Sequence, residues 1–236
     1  MKKIILMTLA SSLLFVACNQ GNNSSKVRIK KLSQARGTQN FTYNADGKLI
    51  TMSGTDGVKN TYSYNGKTIT QNVADSAHNM FITSTVFLNA KGLADSSSAK
   101  DERGSYLKTY KHDENGFIVE SRDFMSGALS RISKSIFKDG NQTQAIILDP
   151  TEKPLVNVYF DYYNDKPNSL AYQNYGMDYL GADSKNLVKK VVQIVPKGDT
   201  VRVTNFIYHF DKDGNVSQKA AYDAHGMMVD SSTFSY

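Results

Sequence analysis

From residue 27 onward the chain alternates apolar and polar positions in short runs, and each run ends in a polar turn that contains glycine. The phrase recurs as FTYNADGKLI from Phe41, YSYNGKTIT from Tyr62, VFLNAKGLAD from Val86, TYKHDENGFIVE from Thr109, IFKDGNQTQ from Ile136, YHFDKDGNVSQ from Tyr208 and AYDAHGMMVD from Ala221. Two-residue spacing is the period of a strand, so Phe41 and Tyr43, Tyr62 and Tyr64, and Tyr208 and Phe210 are each expected to place both rings on one face. Between 155 and 163 the same logic assigns Val156, Val158, Phe160 and Tyr162 to the core. Leu155, Asn157, Tyr159, Asp161 and Tyr163 then fall on the opposite face.

The turns carry their own chemistry. Asn44-Ala45-Asp46-Gly47, Asp113-Glu114-Asn115-Gly116 and Asp211-Lys212-Asp213-Gly214 each open with a side chain that can cap the turn. Each closes with a residue that tolerates positive φ, as a type I turn with a glycine bulge requires. Strands this closely spaced, with short connections, pair with their sequence neighbours. Prolines 150, 154, 167 and 196 fall in loops or at strand ends. The expected fold is all-β, an antiparallel meander of hairpins forming a curved open sheet or a partly closed barrel. Residues 165–187 lack the two-residue period and read as one irregular insertion with a short helix. No composition shift marks a second domain, so 27–236 is a single unit.

The first 18 residues, MKKIILMTLASSLLFVAC, have a different grammar: two lysines, an apolar stretch from Ile4 to Val16, then Ala17 and the only cysteine. That order reads as a secretory signal peptide. Cys18 sits after a small residue, where it resembles the bacterial lipobox, with Phe15 in the position where leucine is usual. Residues 1–17 are therefore expected to be removed and Cys18 to carry acyl chains. Residues 18–26 then form the lipidated residue and a flexible tether. Two or three acyl chains hold a protein stably on a bilayer, each buried methylene contributing about 0.8 kcal/mol.

Composition narrows the chemistry. The chain has 236 residues, with 28 Lys and Arg against 22 Asp and Glu; removing 1–17 takes Lys2 and Lys3 and leaves a formal charge of +4. So small and dispersed an excess argues against nucleic acid as a partner. One cysteine allows neither an internal disulfide nor a cysteine-based zinc site. No apolar run reaches 18 residues, which excludes an ordinary transmembrane helix. Runs such as Lys67 to Asn72 and Ser130 to Lys134 are too polar for the lipid-facing band of a membrane barrel.

No catalytic constellation emerges. His78, His112, His209 and His225 make no metal-binding pair, and there is no nucleophile elbow or phosphate loop. Asp211-Lys212-Asp213-Gly214-Asn215 opens like a calcium loop, but the twelfth position is Tyr222 rather than a bidentate glutamate, so an ordinary hairpin turn is expected. No cofactor is expected. With no Trp, the 14 Tyr and 11 Phe must supply most large core surface. Tyr159, Tyr162, Tyr163, Tyr172, Tyr175 and Tyr179, which flank and cross the irregular insertion, form the candidate ligand-contact region.

The repeated YxYNxxGxL hairpins behind a lipobox resemble Bacteroides-group lipoproteins of unknown function whose domain has a porin-like fold. Tyr179 to Val191, YLGADSKNLVKKV, is similar to a recurring segment of that family, and single hairpins are distantly similar to tyrosine-aspartate repeats. The resemblance implies a curved antiparallel sheet or barrel and assigns no reaction. Surface-exported lipoproteins of that group carry acidic residues just after the cysteine. Here none precedes Asp46, which implies an outer-membrane anchor facing the periplasm. The expected role is a non-catalytic binding or interaction module whose partner is a lipid, a glycan or an envelope protein, besides the membrane that holds its anchor. An envelope hydrolase with a carboxylate or histidine site is the alternative. Cys18→Ala is expected to abolish incorporation of labelled palmitate; continued labelling would overturn the lipobox reading.

Overall fold

The computed structural model describes residues 27–236. The signal peptide, Cys18 and the rest of the 18–26 tether lie outside the described residues. Sixteen strands follow in chain order: β1 Lys31–Gln34, β2 Gly37–Tyr43, β3 Leu49–Gly54, β4 Val58–Asn65, β5 Thr68–Asp75, β6 Met80–Leu88, β7 Ala94–Asp101 and β8 Gly104–His112. The second half comprises β9 Ile118–Met125, β10 Ala128–Lys138, β11 Asn141–Leu148, β12 Pro154–Pro167, β13 Asn186–Ile194, β14 Thr200–Phe210, β15 Val216–Tyr222 and β16 Met228–Ser235. Every strand pairs antiparallel with its chain neighbours, and β1 pairs with β16, Lys31 opposite Ser235 and Gln34 opposite Ser232. The sheet is thus a fully closed barrel, not an open or partly closed one. Closure rests on a pairing between the two ends of the domain, which no local pattern encodes.

The hairpins form as their turn residues dictate. In the β2–β3 turn the Gly47 amide donates to the Asn44 carbonyl at 2.9 Å, and Asn44 Oδ1 accepts from the Lys48 amide at 2.9 Å. Gly47 has φ of 73°, Gly116 of 87° and Gly214 of 82°. The register shifts at Thr42/Tyr43, Lys111/His112 and His209/Phe210, just before these turns. Such a bulge adds one residue and swings the strand end. It separates one expected ring pair: Tyr208 is 8% exposed and Phe210 38%. Another bulge, between Asp161 and Tyr162, turns Tyr163 inward against expectation. Its ring packs edge-on to Tyr208 with centroids 6.0 Å apart, and its hydroxyl donates to the Phe206 carbonyl at 2.8 Å.

In an antiparallel meander, the turns that follow even-numbered strands share one end of the barrel. The irregular segment connects β12 to β13 at that end. It spans residues 168–185 and contains two short 3-10 turns, Tyr172–Tyr175 and Asp178–Leu180, rather than a longer helix. The Ile29 amide, just before β1, donates to the Asn174 carbonyl at 3.0 Å, and the Ala182 amide donates to the Gly116 carbonyl in the β8–β9 turn at 2.8 Å. In a ring of sixteen, β1 and β9 are diametrically opposed, so the segment crosses the full width of the barrel as a plug. Gly176 permits the approach: with φ of 68°, a Cβ there would lie 2.7 Å from both the Gly47 carbonyl oxygen and the Leu49 amide nitrogen.

The interior has two unlike walls. Val158, Leu187, Val188, Val191, Phe206, Tyr208, Val216 and Ala221 form one apolar cluster, and Ile29, Phe41 and Leu49 a second. Leu170 of the plug and Phe234 pack against both. This apolar wall runs from β12 through β16 to β3. Across β4 to β11 the buried side chains are mixed: Asn60, Asp75, Ser121 and Gln142 stand among Ile69, Ala94, Ile118, Ile132 and Leu148.

Gly47→Val would place a β-branched residue at φ of 73° with its Cβ 2.6 Å from Arg28 Nη2. It is expected to lower stability by about 1 kcal/mol or more, read as a lower urea midpoint; an unchanged midpoint would refute the turn assignment.

Candidate functional site: the lumen beneath the plug

Strand alternation builds the polar wall. On β4 and β5, Asn60, Tyr62, Gln71 and Asp75 share the inner face, while Thr61 and Asn72 point out. Gln71 Nε2 donates to Asn60 Oδ1 at 2.9 Å and to the Tyr62 hydroxyl at 3.2 Å, and Ser84 Oγ donates to Gln71 Oε1 at 3.3 Å. Further round, Ser97 Oγ and the Tyr110 hydroxyl lie 3.2 Å apart, and Gln142 Nε2 donates to Ser135 Oγ at 2.8 Å. The charged members are paired, one carboxylate between two cations, for a net charge of +1: Asp123 lies 3.3 Å from Lys108 Nζ and 2.7 Å from Arg131 Nη2.

The plug supplies the floor. The Asp183 side chain is buried, and its Oδ2 accepts from the Tyr172 amide at 2.6 Å. Ser184 Oγ accepts from the Gln142 amide at 2.8 Å and donates to the Tyr162 hydroxyl at 2.9 Å. Among the described residues, four buried polar atoms have no hydrogen-bond partner: His112 Nε2, Gln142 Oε1, the Tyr172 hydroxyl and Asp183 Oδ1. All four belong to the plug or to the β8 and β11 wall beside it.

Burial disfavours charge at the floor. It pushes the Asp183 carboxyl well above its ordinary value, against the pull of the Tyr172 amide. Burial lowers the His112 imidazole, which stays neutral. Tyr62 is pushed up to about 12, first by burial and then by Tyr64. Tyr110, Tyr172 and Tyr179 are raised by burial too. The phenols of Tyr62, Tyr64, Tyr110 and Tyr172 lie close enough to Tyr179 to raise it further. One amine reaches the apolar wall: Lys219 Nζ lies 4.7 Å from the Phe206 ring centroid, and burial lowers it to about 8 while Asp230 opposes the shift.

Five of the six tyrosines named from the sequence face this interior or its floor. Tyr162 bonds to Ser184, Tyr163 packs on Tyr208, Tyr172 and Tyr179 form the floor, and Tyr175 packs edge-on to Phe41 with centroids 5.4 Å apart. Tyr159 does not join them; it is exposed on the outer face of β12. The histidines do not converge. His78 Nδ1 pairs with Asp75 Oδ2 at 2.7 Å in the β5–β6 turn, His209 is exposed on β14, and His225 lies in the β15–β16 turn. Asp211 Oδ1 accepts from the amides of Asp213 and Asn215, so its carboxylate is employed in capping its own turn. Sequence reasoning did not single out Asp183, Gln142 or Tyr110. Tyr62 and Tyr64 it placed on one face, but a buried acid in an aperiodic segment leaves no periodic signal.

The end opposite the plug is ringed by turns that follow odd-numbered strands. Beside those turns stand exposed apolar side chains: Phe81, Met125, Val201, Met227 and Met228.

The chain matches no protein-family model, and no curated protein matches it. Among solved structures, it is similar to a porin-like protein from Bacteroides uniformis ATCC 8492, with a TM-score of 0.65 and 15% identity over 88% of this chain and 96% of that one. A porin-like protein from Bacteroides vulgatus ATCC 8482 aligns with a TM-score of 0.63 and 16% identity, over 89% and 99% of the two chains. At such identities the likeness establishes a shared porin-like fold.

The raised pKa of the Asp183 carboxyl makes stability fall with rising pH. Above the ordinary value of 3.8 the unfolded chain releases this proton while the folded chain keeps it, until the raised value is reached. Over that window the loss approaches about 1.4 kcal/mol per pH unit. Asp183→Asn keeps an acceptor for the Tyr172 amide and removes the titration. Its melting temperature is expected to decline less than the wild type's as the pH rises above the ordinary carboxylate range; parallel declines would contradict a buried acid of raised pKa.

Proposed function

We propose that this protein is a lipid-anchored, non-catalytic binding module of the bacterial cell envelope that holds its ligand inside the barrel. The observation that carries the reading is the interior itself: a wall of mixed hydrogen-bonding and apolar side chains faces an apolar wall above a plugged floor, and solvent reaches mid-wall. Lys108 and Asp123 retain 18% and 21% of their side-chain exposure. Sites of this kind, mostly preformed and combining apolar surface with a few placed polar groups, are where small ligands bind.

The anchor fits this arrangement. Residue 27 follows the tether and lies beside the plug, where Arg28 hydrogen-bonds to the Gln173 carbonyl. Acyl chains on Cys18 would hold the plugged end toward the bilayer and leave the far mouth pointing away. The apolar side chains on that rim favour contact with a further envelope component.

Two other readings fare worse. A hydrolase needs a free carboxylate or imidazole facing substrate, whereas Asp123 is ion-paired and Asp183 and His112 are buried at the floor. A barrel embedded in lipid needs an apolar outer band. Here the outer faces carry hydrogen-bonded polar pairs, including Thr42 with Thr51, Thr83 with Asn72 at 2.8 Å and Gln144 with Asn157 at 3.2 Å.

Native mass spectrometry of residues 19–236, expressed without the signal and purified without detergent, tests the reading. A bound species of defined mass, released on denaturation, is expected. A bare polypeptide mass, also after incubation with envelope extract, would count against lumenal binding.

A further inference from the structure

We infer that the outer face of β12 to β14 is a contact between two copies of this chain, standing side by side on one membrane and related by a twofold axis parallel to the barrel axes. This goes beyond the lumenal reading and takes from it only the anchor.

These three strands depart from simple alternation. PLVNVYFDYY, NLVKKVVQI and TVRVTNFIYHF are near-continuous runs of β-branched and aromatic residues, the pattern of strands covered on both faces. Their inward residues, among them Val158, Val191 and Phe206, are buried in the barrel. Their outward residues are apolar too: Leu155 and Tyr159 on β12, Val192 and Ile194 on β13, Val203 and Ile207 on β14. Tyr159 stands opposite Val192 and Val192 opposite Val203, so the side chains form one continuous surface. Leu155 and Ile207 are 47% exposed and Tyr159 42%. The outer face of β9 and β10 is unlike this, for there Arg122 pairs with Glu120 and Lys134 with Glu152.

Three arguments make the occupant a second copy. The first is direction. β1 begins at the plugged end, so an anchor before residue 27 sets that end toward the bilayer, and the barrel wall then faces along the membrane plane. Lipid lies beneath the plug; what lies beside the wall is other anchored protein, and every copy of this chain carries the same face at the same height.

The second is size. Three strands about 4.8 Å apart and roughly 20 Å long give a footprint of a few hundred Å². That is the range of weak contacts, too small to capture a dilute soluble partner. Confinement to one surface raises the effective concentration, as a short linker raises it to about the millimolar range.

The third is charge. Asp161 and Lys190 stand opposite one another on this face, toward the plugged end, and among the described residues neither forms a salt bridge. A twofold axis parallel to the barrels preserves height, so Asp161 of one copy meets Lys190 of the other, and the reverse contact follows by symmetry. A face of one sign would repel its copy; this one is self-complementary.

The only native cysteine is Cys18, whose thiol acylation consumes, so an introduced cysteine reports its own position. Full-length Tyr159→Cys and Ile207→Cys variants, each made as two differently tagged copies and labelled with palmitate to verify the anchor, would be treated in intact envelopes with a short bis-maleimide. Both are expected to give a crosslinked dimer containing both tags. Leu107→Cys, 41% exposed on β8, is expected to give little or none. In the Tyr159→Cys background, Asp161→Lys and Lys190→Glu should each lower the yield roughly fivefold, because symmetry removes two exposed pairs at once. Co-expression of those two variants should restore a mixed dimer, since opposite charges again meet across the contact; a fold defect would not be rescued by a second mutant chain. Circular dichroism of residues 19–236 of each variant confirms that the barrel is intact. Equal crosslinking at Leu107→Cys, no dimer at either face position, a crosslink only to a different protein, or a yield that charge reversal leaves unchanged would each overturn the inference. Loss of palmitate labelling would overturn it together with the anchor, whereas a bare mass in the native mass experiment would remove lumenal binding and leave this contact standing.

Discussion

A ring of sixteen strands is too wide to be filled by the side chains of its own walls. Small barrels close over their own residues, whereas barrels of this size enclose a channel unless something else occupies it. Here residues 168–185 occupy one end, and much of the structure depends on that span. Strands of only 4 to 14 residues make a short cylinder, so a single crossing segment suffices to seat Leu170 against both apolar clusters. The plug also ties turns on opposite sides of the ring to one another, through Asn174 to Ile29 and through Ala182 to Gly116. It braces the barrel's shape as well as filling it.

That span explains why the interior is uneven. Where the plug brings apolar groups to the wall, between β12 and β3, the wall is apolar; where it brings Tyr172, Tyr179 and Asp183, hydroxyls and amides of the facing strands mix with buried Ile69, Ala94 and Ile118. Low dielectric at the floor then raises the Asp183 carboxyl and lowers the His112 imidazole, because ionising either would leave a buried charge without a counter-ion. Polar content without charge is a consequence of burial as much as of composition.

The hairpins were legible because their information is local. Asn44 and Gly47 set a turn within four residues, and the alternation around Phe41 and Tyr62 sets a face within three. Closure was not, because Lys31 opposite Ser235 pairs residues from the two ends of the domain. Bulges fell between these cases. They follow from the turn type, yet their effect on facing, inward for Tyr163 and outward for Phe210, shows only when the strand is paired. The insertion was visible as a break in period, while its role as a plug was not, since a segment without period says nothing about what it crosses. Asp183 illustrates the limit: an acid in GADSKNL reads as surface until a barrel is folded around it.

The asymmetry of the two ends follows from one connection. In a meander, every turn after an even-numbered strand falls at the same end, so lengthening only the β12–β13 connection closes that end and leaves the other to short hairpins. The described chain begins at that same end because β1 is the first strand and runs away from it. Plug and residue 27 thus lie at one end without any contact having to select it. Which mouth is closed is then a topological consequence of which hairpin was extended; extension of an odd-to-even turn would have closed the mouth farthest from residue 27 instead.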